Sequence, residues 1–139
     1  MTPDQVAAPL LAALRSIVGV TVYDGMVPDK VPTDAAGYVR PYITLYLGAP
    51  TGDELATTVC GTYDTDSQSH AFQTTLVGAS AQHVRAVAGV VVPTLTNLRV
   101  GPGRVRPVWE QHASTVPLPD TAVSPARYFL PLQWALTTQ

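Results

Sequence analysis

YITLYL, residues 42–47, alternates strictly between aliphatic side chains and tyrosine or threonine. An extended chain sends successive side chains to opposite faces, so the isoleucine and the two leucines share one face. β-Branched and aromatic residues also suit a pleated, half-buried strand. The hexapeptide therefore predicts a β-strand with one face on the core, and the other elements are assigned outward from it.

The N-terminal segment carries a helix signature. Thr2 can cap a helix, Pro3 occupies its first position, and Gln5 completes a capping box. Four aliphatic side chains then recur at helical spacing and predict an amphipathic helix that lies on a core: Val6, Leu10, Leu14 and Ile17.

Two further segments separate this helix from the strand at 42–47. Gly19 ends the helix, and Val20–Tyr23 predicts a short strand. Residues 24–41 are rich in proline, aspartate and glycine, which predicts a long, ordered surface loop.

Two strand-like runs, Thr57–Tyr63 and His70–Val77, follow on the C-terminal side. The polar octapeptide YDTDSQSH, residues 63–70, lies between them. Adjacent strands joined by a short polar connection form a hairpin. We therefore expect most of the octapeptide to form a hairpin tip.

A second helix is predicted from Ala81 to about Pro93, with Ser80 as its N-cap and Arg85 facing solvent. An apolar stripe runs along it. The members of that stripe are Val84, Val87, Ala88 and Val91.

Residues 98–108 predict a second hairpin around a Gly-Pro-Gly turn. In the predicted register Val100 pairs with Val105, while Arg99 and Arg106 lie across from each other on the opposite side. That side is expected to be exposed and strongly basic.

The chain closes with a loop and a strand. Residues 110–125 contain three prolines and few apolar anchors, which predicts a second long loop. Arg127–Leu136 predicts a last strand whose alternate apolar side chains share a face. Pro131 cannot donate to a ladder, so it favours an edge position or a bulge.

The composition limits the classes of protein to which the chain can belong. A chain of 139 residues fits one domain, 1–139, with a core of its own. Charged residues make up 13%, about half the usual quarter, so much of the surface must be uncharged. The single cysteine, Cys60, excludes an internal disulfide, and no apolar run is long enough to span a bilayer. We expect a soluble protein made in a reducing cytoplasm.

Charge is distributed unevenly along the chain, although the net charge is only −2. Residues 1–70 hold three basic and eight acidic side chains, whereas the remainder holds five arginines and two acidic side chains. An acidic face on one copy could attract a basic face on the next. Pairing of the two halves within one chain is the alternative.

Asp64, Asp66 and His70 are the candidate metal ligands in YDTDSQSH. Two carboxylates at this spacing begin calcium loops, which also need a glycine at position six and a glutamate at position twelve. Those positions hold Ser69 and Thr75. The sequence therefore predicts a solvated hairpin tip and no metal site.

Other catalytic patterns are absent from the sequence. No Gly-x-Ser-x-Gly elbow presents a nucleophile, and there is no phosphate-binding loop. His70, His83 and His112 are interpreted as surface or capping residues. The arginines near residue 100 could contact nucleic acid, but a mildly acidic chain with one lysine favours protein contact. We expect no catalytic residues, no cofactor and no sequence-specific nucleic acid.

After the capped N-terminal helix, five short segments follow in order: VTVYDGMVPD (20–29), PYITLY (41–46), GTYD (61–64), FQTTLVG (72–78) and SAQ (80–82). This order resembles the tail-terminator proteins of long-tailed, siphovirus-type phages, especially those of actinobacterial hosts. The resemblance covers roughly residues 1–108.

The resemblance implies an α+β fold in which helices pack on one mixed, mainly antiparallel sheet. It also implies a homo-hexameric ring on the head-proximal end of the tail tube. Such a ring stops tube polymerisation and offers a surface to a head-completion (neck) protein. The location implied is the head–tail junction of a virion, after synthesis in the bacterial cytoplasm. No enzyme activity is implied.

On this interpretation the loops and hairpin tips contact the next subunit or the tube. The residues proposed for those contacts are Asp64, Asp66 and Ser67 at the first tip, with Arg99, Arg104 and Arg106 at the second.

Three alternatives stay open from the sequence. One is another ring-forming neck protein, such as a head-closure or adaptor subunit. A different class is a small metal-dependent hydrolase that uses Asp64, Asp66 and His70. The third is a generic ligand-binding module.

Overall fold

The computed structural model describes residues 1–52, 68–111 and 115–138. The strand predicted at Thr57–Tyr63 and the hairpin tip predicted from it lie outside these ranges. So do Cys60 and His112.

The described chain forms two α-helices, a short 3₁₀ helix and strands of two to twelve residues. Their bounds in chain order are α1 (Pro3–Arg15), β1 (Thr21–Asp24), β2 (Tyr42–Leu47), β3 (Thr51–Gly52), β4 (Gln68–Gly78), α2 (Ala81–Leu95), β5 (Arg99–Val100), β6 (Gly103–Arg104), β7 (Arg106–Pro107), the 3₁₀ helix (Trp109–Gln111), β8 (Leu118–Asp120) and β9 (Arg127–Thr138).

The main sheet is mixed and mostly antiparallel. Its order is β1-β2-β4-β9-β7, with β3 added to β4 and β8 added to β9. Only the β1–β2 pair is parallel among the pairs of the described chain. Both helices pack on this sheet, which confirms the predicted α+β fold.

Both helices carry the caps expected from the sequence. The Thr2 hydroxyl accepts from the Gln5 backbone N–H at 3.2 Å, and the Gln5 side chain accepts from the Thr2 backbone N–H at 2.8 Å. Ser80 likewise caps α2 through the His83 backbone N–H. These bonds satisfy N–H groups that the first helical turn leaves unpaired.

The core lies between the helices and one face of the sheet, called here the core face. α1 and α2 contribute their predicted apolar stripes, and β4 and β9 contribute alternate side chains. The ring planes of Phe72 and Trp134 stack with centroids 6.3 Å apart. The indole N–H of Trp134 donates to the Thr74 hydroxyl at 2.9 Å, so the buried polar groups of this pair satisfy each other.

The opposite, outer face of the sheet is partly covered as well. Residues 24–41 were predicted as a surface loop, yet Val31 and Val39 within them are buried against Tyr42 and Val77. The first four residues of β2 are therefore buried on both faces, although their side chains alternate as predicted. The aromatic character of the outer-face positions suits this second, smaller core.

His70 was predicted as a surface or capping residue, and this is wrong. It lies on the core face of β4, opposite Leu136, and is fully buried. Desolvation by this burial lowers the pKa of its imidazole, and the positive N-terminus lowers it further. β4 begins two residues earlier than predicted, so His70 is an interior strand position in phase with the buried Phe72 and Leu76 rather than a strand end.

Pro131 was expected at a sheet edge or a bulge, but β9 lies inside the sheet. It pairs with β4 on one side and with β7 and β8 on the other. The two short strands contact β9 at residues 134–135 and 127–129, and Pro131 falls between them. Its missing N–H therefore interrupts neither short ladder.

The second hairpin forms in a register different from the predicted one. Val100 pairs with Gly103, and Arg99 pairs with Arg104. Gly101 has φ +57° and precedes Pro102, so the central residues are Gly-Pro rather than Pro-Gly. A positive φ at the first central position is the type II′ geometry, which suits the twist of a hairpin.

We predict opposite effects for Thr74→Val and Thr44→Val, two changes of the same size in adjacent strands. The first leaves the buried Trp134 indole without its acceptor and should lower the free energy of unfolding by about 1–3 kcal/mol. The Thr44 hydroxyl is buried without a hydrogen-bond partner among the described residues, so the second should be neutral or stabilising. Urea unfolding measures both, and equal losses would contradict the assignment.

Candidate subunit interface

Three arginines form a basic cluster at the β9 side of the sheet. Arg99 and Arg104 are cross-strand neighbours in the hairpin, and Arg106 follows in β7, where it pairs with Ala135. All three side chains are exposed. The guanidinium groups of Arg99 and Arg104 donate to the backbone carbonyls of Gly101 and Asn97, at 3.3 and 3.0 Å. Each keeps further donors for a partner.

The position of this cluster depends on Gly103. A Cβ at this residue would collide with the carbonyl oxygen of Thr137 and with the Leu136 side chain. Only glycine allows β6 to approach the backbone of β9 this closely. The hairpin is thereby held against the C-terminal end of β9.

The predicted contact residues Asp64, Asp66 and Ser67 lie outside the described residues. The chain leaves the described part at Gly52 and re-enters it at Gln68, and these two residues pair with each other. Gln68 also pairs with Thr138. Gly52, Gln68 and the basic cluster therefore lie at the same end of the β4–β9 ladder.

A groove lies beside α2, where the chain enters β1 and β2, and we call it the helix groove. One part, of about 230 Å³, is lined by residues 17–20, which follow α1, by Pro41 and by α2. The adjoining part, of about 380 Å³, is lined by residues of the 34–41 loop and the start of α2. Pro41 and His83 belong to both parts. Val18 is 96% exposed at its rim, and Val90 is 46% exposed.

A second exposed apolar surface lies at the β8 side of the sheet, and we call it the edge patch. Trp109 is 50% exposed and Val116 is 63% exposed. Leu118, in β8, and Val123, which follows it, are also partly exposed. Large exposed apolar side chains on one side of a sheet are candidates for contact with a partner.

One cross-strand row runs from the start of β1 to β8: Thr21, Tyr42, Val77, Phe129 and Leu118. Val20 and Pro41, which precede the first two residues of this row, line the groove, while Leu118 belongs to the patch. The groove therefore lies at the ends of the strands, and the patch lies beside β9.

The sequence predicted the basic cluster but missed the groove. Val90 lies off the apolar stripe of α2, and Val18 lies beyond the end of α1. An aliphatic residue outside the stripe of an amphipathic helix is the signal that could have indicated a second contact surface. The approach of residues 34–41 to α2 could not be predicted, because it depends on long-range packing.

The other predicted site residue, His70, does not face this interface. It is buried on the core face, whereas Asp64 and Asp66 lie outside the described residues. Within residues 1–52, 68–111 and 115–138, no helix is long and apolar enough to cross a membrane.

No family model matches the chain, and no curated protein matches it. The chain is similar to a chain in the structure of the virion of a native gene transfer agent (GTA) particle. The alignment covers 99% of this chain and 91% of that chain, with 19% identity and a TM-score of 0.45. At these values the likeness transfers no function.

We predict that Arg104→Glu weakens self-association roughly tenfold at low salt, because reversal of an interfacial charge replaces attraction by repulsion. Arg85→Glu makes the same change of charge on an exposed site of α2 and serves as the control. Light scattering at low and high salt measures the effect, which screening should reduce. An unchanged mass distribution with a lower free energy of unfolding would instead indicate pairing within one chain.

Proposed function

We propose that this chain is a structural protein of a phage virion, a tail terminator that caps the head-proximal end of the tail tube. Copies form a homo-hexameric ring. One side of the ring stops the addition of tube subunits, and the other joins a head-completion (neck) protein. The protein acts at the head–tail junction, after synthesis in the host cytoplasm.

The arrangement of the helices and strands supports this proposal. The sequence resemblance implies helices packed on a mixed, mainly antiparallel sheet in a particular order of segments. α1, β1, β2, β4 and α2 follow that order, and both helices lie on the core face. This agreement between the order of segments and the observed layers is the observation that carries the proposal.

The surfaces of the described chain fit a function that depends on contacts. Arg99, Arg104 and Arg106 are exposed beside β9, and the helix groove lies at the ends of β1 and β2. The central part of the outer face carries glutamine, threonine, alanine and tyrosine rather than charge, from Tyr46 through Gln73 to Gln133. Such a face can be covered by a neighbour at a lower desolvation cost than a charged face.

Removal of the coding sequence from the virus that carries it tests this function. We predict tails of unregulated length, because nothing then stops the tube from growing. Supply of the wild-type chain in trans should restore one length, measured by negative-stain microscopy. Uniform tails in the deletion strain would exclude the terminator role.

Tails and heads from the same virus also distinguish a tail terminator from a head-closure or adaptor protein. A tail terminator should bind the ends of purified tubes and leave portal-bearing heads unoccupied. Labelled protein on heads, with tails of normal length, would favour the adaptor role instead.

A further inference from the structure

We propose that the basic cluster binds the phosphate backbone of duplex DNA without reading its base sequence. The groups that bind are the guanidinium groups of Arg99, Arg104 and Arg106, and the ligand is a regular chain of phosphodiester groups. This inference goes beyond the proposed function and does not depend on it, because it concerns the chemistry of one surface of the single chain.

The arrangement of these arginines is one that folding alone disfavours. Arg99 and Arg104 are cross-strand partners in the hairpin. Like charges that face each other across two strands, about 5 Å apart, are destabilising. Val105 is fully buried, whereas Arg104 and Arg106 on either side of it are exposed, so both arginine side chains point away from the core. Three positive charges are thereby collected on one surface.

The fold supplies no counter-charge to this surface. No acidic side chain within residues 1–52, 68–111 and 115–138 forms an ion pair with any of the three arginines. Their mutual repulsion is therefore a cost that the described chain does not offset. Places where a protein breaks a local rule of stability in this way are often functional sites, and a positive field attracts an anion.

The cluster is also prepared for binding before an anion arrives. Arg99 and Arg104 each donate one hydrogen bond to a carbonyl of their own hairpin, which orients the guanidinium group and leaves its other N–H groups available. The planar fork of a guanidinium group matches the oxygens of a phosphate. Because Gly103 holds the hairpin against β9, little conformational entropy remains to be lost on binding.

The composition of the hairpin surface favours nucleic acid over a protein partner. From residue 97 to residue 106, no aromatic or large aliphatic side chain is exposed, and the exposed residues other than the arginines are Asn97, Gly101 and Pro102. The core of a protein–protein interface is depleted of charge and rich in aromatic side chains. A protein–DNA interface is polar and strongly positive, which matches this surface.

The same surface favours duplex over single-stranded DNA. Proteins that hold single strands stack the bases on aromatic side chains, and no aromatic residue lies between residues 97 and 106. Phosphate contacts from arginine need no access to base edges and carry no sequence information. Binding is therefore expected to be independent of base sequence, in line with the expected absence of sequence-specific nucleic acid.

The net charge of the chain does not oppose this contact. The sequence favoured protein contact for these arginines, because the chain is mildly acidic and has one lysine. A polyanion responds to the local field of a surface, however, and not to net charge alone. The structure places three of the seven arginines of the chain on one surface, which the composition does not show.

Fluorescence anisotropy with a short labelled duplex of mixed sequence tests the proposal. Neutralisation of three phosphates predicts that log K falls with log salt at a slope of about −2.7, or roughly 500-fold in affinity for a tenfold rise in salt. A second duplex of different base sequence should bind with the same affinity and slope.

Matched variants assign the binding to the cluster. Arg99→Gln and Arg104→Gln should each make the slope shallower by about 0.9, because one phosphate contact is lost. Arg104→Lys keeps the charge and should keep most of the slope. Arg85→Gln removes the same charge from an exposed site of α2 and should bind like wild type. Circular dichroism establishes that each variant is folded.

The stability of the triple variant, with glutamine in place of all three arginines, separates binding from a structural role. Loss of binding should be complete. Urea unfolding at low salt should occur at the same or a higher urea concentration than in wild type, because the repulsion between the arginines is removed. A large loss of stability would show that the arginines serve the fold and would overturn the proposal.

Other results would overturn it as well. Absence of duplex binding at low salt excludes it, and so does binding that the triple variant retains. Displacement of the duplex by poly-glutamate at equal charge concentration would assign the cluster to an acidic protein. A mass in light scattering that depends on the three arginines, with no duplex binding, would assign the cluster to a second copy.

Failure of this proposal can be distinguished from failure of the proposed function. Tail lengths in the deletion strain test the terminator role, and anisotropy on the purified chain tests the DNA contact. Tails of unregulated length with no DNA binding would exclude only the contact. DNA binding together with uniform tails in the deletion strain would exclude only the terminator role.

Discussion

The antiparallel ladder between β4 and β9 is the constraint on which the rest of the structure depends. It pairs Gln68–Gly78 with Tyr128–Thr138 along their whole length, and every other strand of the main sheet attaches to one of the two directly or through β2. A slip of one residue would exchange the core and outer faces of a strand, because alternate side chains point to opposite sides. The Trp134–Thr74 hydrogen bond and the Phe72–Trp134 stack require the observed register and would be lost in a shifted one.

The same ladder places both candidate contact surfaces. β9 carries β7 and β8, and with them the basic cluster and the edge patch, on its free side. On the opposite side of the ladder β4 pairs with β2, and β2 pairs with β1; the residues that precede β1 and β2 line the helix groove. The two surfaces therefore come from different parts of the chain.

Local signals in the sequence predicted much of the fold. The capping box at Thr2, the alternation at 42–47 and the stripe of α2 depend on neighbours in the chain, and each forms as predicted. The pairing of β4 with β9 could not be predicted, since it joins residues 50 to 70 positions apart. The interior place of Pro131 and the inward side of His70 follow from that pairing. Arg106 was predicted in the hairpin, but it pairs with Ala135 of β9 in the main sheet, which is also a pairing of residues distant in the chain.

The central proposal is that copies of this chain form a ring that caps the head-proximal end of the tail tube. The most direct measurement is a cryo-electron microscopy map of the protein assembled on the ends of tail tubes. We expect a closed ring of copies at the head-proximal end. A map with no ring of this chain at that end, or with the chain bound to portal-bearing heads instead, would contradict the proposal.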